Sequence, residues 1–222
     1  MKKILVIGSN GTIGRALVAA LEQQNTVLQI NRDNCDYSEQ ALSQMVKVMA
    51  EQGSLQQIYC CIGVLHNNFL SPEKRMAQLE ESRLAEYFYI NSILPALCLK
   101  AFSPLLDRTQ NSQFLLLSAM VGSIKDNQLG GWYGYRSSKA ALNMLTKTAS
   151  IELRRTNKNA SAVVIHPGTT KGNLSKPFAA GIAEHKYYSA QESAHRIIAV
   201  ANKLTPSESG QFFNWDGSNL PW

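Results

Sequence analysis

The sequence predicts an α/β fold in which one parallel sheet carries helices on both faces. Two observations predict it: short, continuously apolar runs alternate with stretches of helical periodicity, and the first apolar run ends in a glycine-rich turn. Strands that are apolar on both sides are typical of a parallel sheet buried between two helical layers. No linker-like stretch divides the 222 residues, so we expect one domain over residues 1–222.

The apolar runs set the expected strands, at residues 4–7, 26–30, 58–62, 114–117, 161–165 and 211–213. Between them, apolar side chains recur at helical spacing. We therefore predict helices over about residues 13–21, 42–49, 72–106, 135–153 and 191–203. Ser38 precedes the second of these and is its expected N-cap, because a serine hydroxyl can accept a bond from a first-turn amide.

Composition narrows the classes of function. The formal net charge is +6, but the basic residues are scattered along the chain, which argues against a nucleic-acid partner. The first apolar run is too short for a signal peptide, and no run approaches the roughly 20 apolar residues of a membrane span. We therefore expect no membrane partner and a cytoplasmic location. The four cysteines lack metal-site spacing and are expected to be reduced and mostly buried.

A glycine-rich turn joins the first strand to the first helix and reads Gly8-Ser9-Asn10-Gly11-Thr12-Ile13-Gly14. Glycines let the backbone turn sharply and let a pyrophosphate approach the helix N-terminus, where free amides and the helix dipole favour negative charge. Such a turn can also serve tight packing alone. Its place between strand and helix favours a nucleotide site, and hence a Rossmann-type doubly wound sheet.

The end of the second strand bears on which dinucleotide binds. Asn31 and Arg32 stand where a site selective for NAD(H) usually has an acidic residue. An arginine there suits a 2′-phosphate, so we expect NADP(H) to be preferred over NAD(H), unless Arg32 is a solvated loop residue. Asp36 lies a few residues further on, where its carboxylate can contact an adenine or close the turn.

Tyr135 and Lys139 are four residues apart near the start of the fourth predicted helix, so they share one face. A fixed cation favours the phenolate and brings a tyrosine closer to useful acid/base range. The pair is therefore a candidate general acid/base. The same spacing also fits a half-buried aromatic ring covered by a lysine stem.

Several polar residues and glycines are expected to meet at one sheet edge, because ligands of parallel α/β sheets bind outside the carboxyl ends of the strands. They are Gly8, Arg32, Gly63, Ser118, Tyr135 and Thr170. Asn91 lies in an apolar helix and is either a structural tie or part of a polar relay. His166, at a strand end, is expected to be a packing residue rather than a base.

Longer motifs make the chain resemble the short-chain dehydrogenase/reductase family, in its C-factor-like branch, over nearly the whole length. They are Val121-Gly122-Ser123-Ile124, Asp126-Asn127, Gly130-Gly131-Trp132-Tyr133, Ala140-Ala141-Leu142-Asn143 and the tail from Trp215-Asp216-Gly217 to Pro221-Trp222. The resemblance implies NADP-dependent carbonyl reduction or alcohol oxidation on a small molecule. It also implies a homodimer or homotetramer.

The resemblance assigns roles to particular residues. Tyr135 would give a proton to the carbonyl oxygen, and Lys139 would lower the tyrosine pKa and hold the nicotinamide ribose. Asn91 would hold a water that relays protons to Lys139. Further residues would make the cofactor contacts. Gly8 to Gly14 would cradle the pyrophosphate, and Asp36 would face the adenine. Gly63 matches the end of the family's Asn-Asn-Ala-Gly motif, and Pro167, Gly168 and Thr170 would flank the nicotinamide.

Four departures from the family pattern stand out. Thr12 replaces the middle glycine of the turn, and Gly172 replaces a cofactor-binding threonine after Pro-Gly. Cys60-Cys61-Ile62 replaces Asn-Asn-Ala before Gly63. Ala119 stands at the position of the substrate-orienting serine, so that Ser118, Ser123 or no serine fills this role; Ser118 is our candidate.

Two other classes of function compete with an oxidoreductase. A sensor or signalling protein that binds the dinucleotide with little or no turnover fits three of the departures, at Ala119, Thr12 and Gly172. A purely structural interaction module gives no reason for the polar residues to gather at one edge. For an enzyme, we expect residues 173–188 to cover the substrate, with Leu174, Phe178, Tyr187 and Tyr188 as an apolar lining.

Overall fold

The computed structural model describes residues 1–181 and 183–222. Its central sheet has six parallel strands in the order β2-β1-β3-β4-β5-β8. The strands of this sheet are β1 (Lys3–Ile7), β2 (Thr26–Ile30), β3 (Gln57–Cys60), β4 (Ser112–Leu117), β5 (Ala160–His166) and β8 (Phe212–Asn214). Two further strands, β6 (Thr169–Thr170) and β7 (Tyr187–Tyr188), pair with each other.

In the part of the chain that the structure describes, six α-helices surround the sheet. They are α1 (Thr12–Leu21), α2 (Glu39–Ala50), α3 (Glu81–Phe88), α4 (Leu94–Phe102), α5 (Tyr133–Thr156) and α6 (Ala190–Lys203). A π-helical turn, Tyr89–Ile93, joins α3 to α4. Pro95 has no N–H to donate to the carbonyl of Asn91 four residues earlier, which accounts for the irregular turn at this place.

Neighbouring residues of each strand point into opposite helical layers. Leu5 and Ile7 belong to the core that the sheet shares with α2, α4 and α5. Ile4 and Val6 belong to the core on the other face, with α1 and α6. All four side chains have no exposed surface, so the sheet is buried on both sides. The predicted doubly wound α/β fold is confirmed.

The order of the strands reverses at β1. The first crossover leads from β1 to β2 on one side, and the second leads from β2 to β3 on the other side of β1. This reversal opens a crevice at the carboxyl end of β1, where nucleotide ligands of doubly wound folds bind. The glycine-rich turn stands at its mouth.

Some predicted boundaries were wrong. The helix expected from residue 72 begins at Glu81, after a short 3-10 turn at Met76–Gln78. Residues 61–75 are irregular, with Asn67 accepting bonds from the amides of Phe69 and Leu70. The third strand ends at Cys60 instead of residue 62, and the last strand is shifted by one residue. The predicted N-cap is confirmed: Ser38 accepts a bond from the amide of Ala41.

The helical stretch Glu81–Leu105 is long and apolar enough to cross a membrane by length and composition alone, with a mean hydropathy of 1.2 in its best window. The core helix of a soluble protein passes the same test. Here Tyr87, Cys98 and Phe102 of this stretch are fully buried inside the protein. Its apolar composition is therefore explained in part by packing against the rest of the protein.

Candidate active site

The glycine-rich turn folds tightly against the ends of β2 and β3. Gly8 has a φ of +79° and donates its amide to the carbonyl of Ile30 at 2.7 Å. A Cβ on Gly14 would lie 2.3 Å from the carbonyl oxygen of Gly8, so this approach requires glycine. The first α1 bond runs from the amide of Arg15 to Gly11, which leaves the amides of residues 12–14 at the helix N-terminus. These amides suit an anionic group.

At the end of β2 the structure adds an acidic residue that sequence reasoning passed over. The carboxylate of Asp33 accepts a bond from the side chain of Asn10, in the glycine turn. Asn31 bonds to the hydroxyl of Ser9 at 3.0 Å, and it also accepts the amide of Asp33. Arg32 is exposed. A cation and a carboxylate are therefore neighbours at the end of β2, the region that selects between the two dinucleotides in doubly wound folds. Asp33 directly follows Asn31-Arg32 in the sequence.

Asp36 lies on the turn between β2 and α2 and is exposed. Its carboxylate accepts the amide of Ser38 at 2.9 Å, and this bonding to Ser38 lowers the pKa of the carboxyl. In this structure Asp36 closes the turn, which was one of its two expected roles.

Lys139 lies on the buried face of α5 and is only 3% exposed. Its ammonium donates to the carbonyl of Leu117, the last residue of β4, at 3.0 Å. A Cβ on Gly63 would lie 3.1 Å from Lys139 Nζ and 3.4 Å from Asn91 Oδ1, so the glycine lets the backbone come close to both polar groups. Burial lowers the pKa of Lys139 to about 8. Gly63, Asn91 and Lys139 therefore lie together in the folded chain.

Asn91 is fully buried in the π-helical turn between α3 and α4. Its side chain bonds twice to the backbone of Val64, accepting the amide at 2.8 Å and donating to the carbonyl at 2.9 Å. It also donates to the hydroxyl of Ser138 at 3.1 Å. Asn91 is therefore a structural tie that fixes the segment after Gly63 against α5, next to Lys139.

Tyr135 is 6% exposed and packs in an aromatic cluster beside Ala119. The rings of Tyr87 and Trp132 meet it edge-on, with centroids 6.5 and 6.3 Å away. Burial raises the pKa of Tyr135, and the neighbouring Tyr87 adds to this. The expectation that Lys139 lowers this pKa is wrong for this structure, because burial dominates and the ammonium bonds to Leu117 instead.

The contacts of Ser118 argue against its expected role as the substrate-orienting serine. Its hydroxyl donates to the side chain of Asn143 on α5 at 2.6 Å and is buried. Ser123 accepts the amide of Asp126 and is also buried. Ala119 belongs to the cluster that contains Tyr135. Neighbouring strand residues face opposite ways, so at the end of β4 the methyl of Ala119, rather than a hydroxyl, is directed to the tyrosine.

Residues 167–170 form the far wall of the crevice, after β5. Gly168 has a φ of +77°, and a Cβ there would lie 3.0 Å from the ring of Tyr188 and 3.1 Å from that of Trp215. The hydroxyl of Thr170 bonds to that of Ser193 on α6 at 2.7 Å. Pro167 is half-buried between these residues and His166.

His166 ends β5 and is half-buried, and desolvation lowers its pKa to about 4. The ring is therefore a weak base, which agrees with the expected packing role.

The expected apolar cover over the site is present in part, although residue 182 of it lies outside the described residues. Phe178 packs against Trp132, with ring centroids 5.1 Å apart. The hydroxyl of Tyr187 lies 3.1 Å from that of Ser175, and the ring of Tyr188 stacks near Trp215 instead of entering the aromatic cluster. Leu174 is exposed.

Glu73 is a residue of the site that sequence reasoning missed. It is 2% exposed, and its carboxylate accepts the amide of Gly134 at 3.1 Å, while its carbonyl accepts that of Trp132. A Cβ on Gly134 would lie 2.3 Å from the ring of Tyr87 and 3.0 Å from the other oxygen of Glu73. Glu73 thus fixes the first turn of α5, one residue before Tyr135. A carboxylate is favoured at a helix N-terminus, but no local pattern reveals a partner 61 residues away.

The comparisons with known proteins agree with this architecture. The family model described as short chain dehydrogenase matches residues 35–182. The chain therefore belongs to the short-chain dehydrogenase family, which is a family of oxidoreductases.

Two curated relatives cover most of the chain. The 1-hydroxy-2-glutathionyl-2-methyl-3-butene dehydrogenase of Rhodococcus sp. (strain AD45) is 28% identical over 186 residues, 83% of this chain and 76% of that protein. The C-signal protein of Myxococcus xanthus is 27% identical over 177 residues, 80% of this chain and 93% of that protein.

Solved structures share the fold over the whole chain. Carbonyl reductase Sniffer of D. melanogaster aligns with a TM-score of 0.82 at 23% identity, over 100% of both chains. An NADPH-bound carbonyl reductase from chicken fatty liver aligns with a TM-score of 0.81 at 21% identity, over 100% of this chain and 99% of that chain.

Replacing Ser118 tests its structural role. We expect Ser118→Ala to lower the free energy of unfolding by about 1–3 kcal/mol, because Asn143 Oδ1 loses a buried donor. Turnover per folded molecule should stay unchanged, because the hydroxyl does not reach Tyr135. Urea denaturation and steady-state kinetics measure the two effects, with Ser123→Ala as the comparison; a large loss of kcat without a loss of stability contradicts the structural role.

Replacing Glu73 tests the anchoring of α5. Glu73→Ala should lower the free energy of unfolding by about 1–3 kcal/mol and reduce kcat, since the amide of Gly134 loses its partner. Glu73→Gln keeps an acceptor oxygen and should retain most of both. The exposed Glu152→Ala, on the same helix, is the control. Equal effects of the alanine and glutamine variants would show that the acceptor oxygen is unimportant.

The buried ammonium makes a prediction about pH. The folded-state pKa of Lys139 is about 8 against an ordinary 10.5, so between these values the unfolded chain binds more protons than the folded one. Stability therefore rises with pH through this window. Urea denaturation near the two ends of the window should show this rise in the native protein and a smaller one in Lys139→Met; parallel curves would contradict the lowered pKa.

Proposed function

We propose that the protein is an NADP(H)-dependent oxidoreductase that reduces a small aldehyde or ketone, or oxidises the corresponding alcohol, with Tyr135 as the general acid/base. The observation that carries this proposal is the joint placement of Tyr135 and Lys139 on the buried face of α5, with the ammonium of Lys139 close against the backbone of Gly63. Family membership and the carbonyl reductases of the same fold support the reaction class. The NADPH in one of those structures supports the cofactor.

The residues present fit a dinucleotide. The first-turn amides of α1 suit its phosphates, and the ammonium of Lys139, which lies against Gly63, suits a ribose hydroxyl. A bound nicotinamide dinucleotide supplies the hydride. The protein's own part is to hold the carbonyl near the phenol of Tyr135 and to exclude water with the ring of Trp132.

The protonation state of Tyr135 fits the role of a proton donor in carbonyl reduction. Burial raises the pKa of the phenol, so it stays protonated at neutral pH and can donate its proton to a carbonyl oxygen that gains negative charge.

A dinucleotide-binding sensor with little turnover is the second candidate. Ala119 favours it, because a methyl cannot donate a hydrogen bond to the substrate oxygen. Losing one such donor can cost roughly a hundredfold in rate. The cytoplasmic location and a homodimer or homotetramer stay predictions.

One experiment separates the two candidates. The purified protein is titrated with NADPH and with NADH by fluorescence, and aldehydes, ketones and quinones are then added to the NADPH complex. Binding followed by oxidation of NADPH supports the reductase. Tight binding without oxidation across the panel favours the sensor, and no binding of either dinucleotide refutes both.

Replacing the phenol tests the acid/base role. Tyr135→Phe should lower kcat for carbonyl reduction by at least about a hundredfold, because positioned proton transfer contributes about 10²–10⁴ in rate. The dissociation constant of NADPH should stay near the native value. Tyr133→Phe, on the same turn of α5, is the matched control. Full activity of Tyr135→Phe would remove Tyr135 from the mechanism.

Replacing Arg32 tests the choice of dinucleotide. Arg32→Ala should weaken NADPH binding by about tenfold and leave NADH binding nearly unchanged, because only NADPH carries a 2′-phosphate. The exposed Arg155→Ala at the far end of α5 controls for net charge. Equal losses for the two dinucleotides would mean that Arg32 does not select between them.

A further inference from the structure

Two of the departures from the family pattern touch each other. Thr12 opens α1, and Gly172 follows β6, on the other side of the crevice. A Cβ built on Gly172 would lie 2.7 Å from Thr12 Oγ1, 2.8 Å from its Cγ2 and 3.1 Å from its Cβ. These are the three nearest atoms, so the side chain of Thr12 fills the space that a side chain at position 172 would need.

Space alone explains the glycine at this position. The φ of Gly172 lies outside the left-handed region, in contrast to that of Gly168, so its backbone suits any residue. Thr12 cannot clear the clash by rotating, because its Cβ is fixed by the first turn of α1 and both branches of the side chain crowd the site.

The contact spans the crevice. In the sheet, β3 and β4 lie between β1, which precedes Thr12, and β5, which precedes Gly172. The loop with Gly172 is held by bonds from Lys171 to Tyr188 and from Ser175 to Thr170. Thr12 is exposed, and none of the described residues bonds to its hydroxyl. The hydroxyl of Thr12 thus lies beside the first-turn amides of α1, where α1 meets the loop that contains Gly172.

We propose that Thr12 and Gly172 are a reciprocal pair. The side chain of Thr12 occupies the space that a side chain at position 172 would need, and its hydroxyl binds the dinucleotide pyrophosphate. Thr12 would donate its O–H to a phosphate oxygen, next to the amides of the helix N-terminus. The two departures are then one physical change. This inference rests on the proposed function, since it needs a dinucleotide in the crevice.

The first arm of the test concerns the hydroxyl. The dissociation constants of NADPH and NADH are measured for Thr12→Ala and Thr12→Ser. We expect the alanine variant to bind both dinucleotides about tenfold more weakly, because the phosphate loses a donor, and the serine variant to bind nearly as the native protein does. Native affinity in Thr12→Ala would overturn the proposal.

The second arm concerns reciprocity. Gly172→Thr should lower both the Tm of the free protein and its affinity for NADPH, because two side chains then compete for one space. Adding Thr12→Gly to Gly172→Thr should restore both, although Thr12→Gly alone weakens binding. Gly181→Thr, at a glycine where no described atom lies within 4 Å of a built Cβ, is the matched control.

Losses in the double variant that equal the sum of the single losses would overturn the pairing. If both variants carrying Gly172→Thr fail to fold, pairing is also overturned. Native protein that binds neither dinucleotide would refute the proposed function and this inference together. Native protein that binds NADPH while the double variant stays additive would refute this inference alone.

Discussion

The buried ammonium of Lys139 constrains the rest of the crevice. A cation in an apolar interior is costly unless it is hydrogen-bonded, and here the ammonium donates a hydrogen bond to the carbonyl of Leu117 at 3.0 Å. The end of β4, the face of α5 and the bare backbone at Gly63 must keep their places for this bond to persist. With a pKa of about 8, the group is charged at neutral pH but close to losing its proton. An oxygen-rich ligand entering beside Gly63 would therefore stabilise the charged form.

Contacts from outside the helix stabilise the start of α5. Gly130, Gly131 and Trp132 have φ values of +63°, +65° and +52°, and such a conformation is unfavourable for the tryptophan. The two bonds that Glu73 accepts, from the amides of Trp132 and Gly134, offset this cost and fix the first turn of α5. A loop far away in sequence therefore anchors the turn that carries Tyr135.

The sequence predicted the fold well, because strands and helices leave local periodic signals. The prediction failed where local signals mislead. Met76 and Leu79 continue the apolar pattern of α3, yet α3 begins only at Glu81, and the irregular segment before it places Glu73 against α5. The site was predicted in composition but not in bonding. The partner of Ser118 is Asn143, 25 residues away, and the pKa of Tyr135 depends on rings that meet only in the folded chain. Contacts of this kind are set by the twist of strand ends and by packing, which no spacing rule contains.

The position of β2 at the edge of the sheet has a consequence for how such a protein can change over evolution. No described strand flanks β2 on its outer side, so the adenosine end of the crevice borders solvent, and a single turn at residues 31–38 faces it. The proposed acid/base residues lie on α5, on the opposite side of β1. Exchange of one short surface segment could therefore alter the nucleotide that is recognised while the reacting half of the crevice keeps its geometry, so that the two properties can diverge independently.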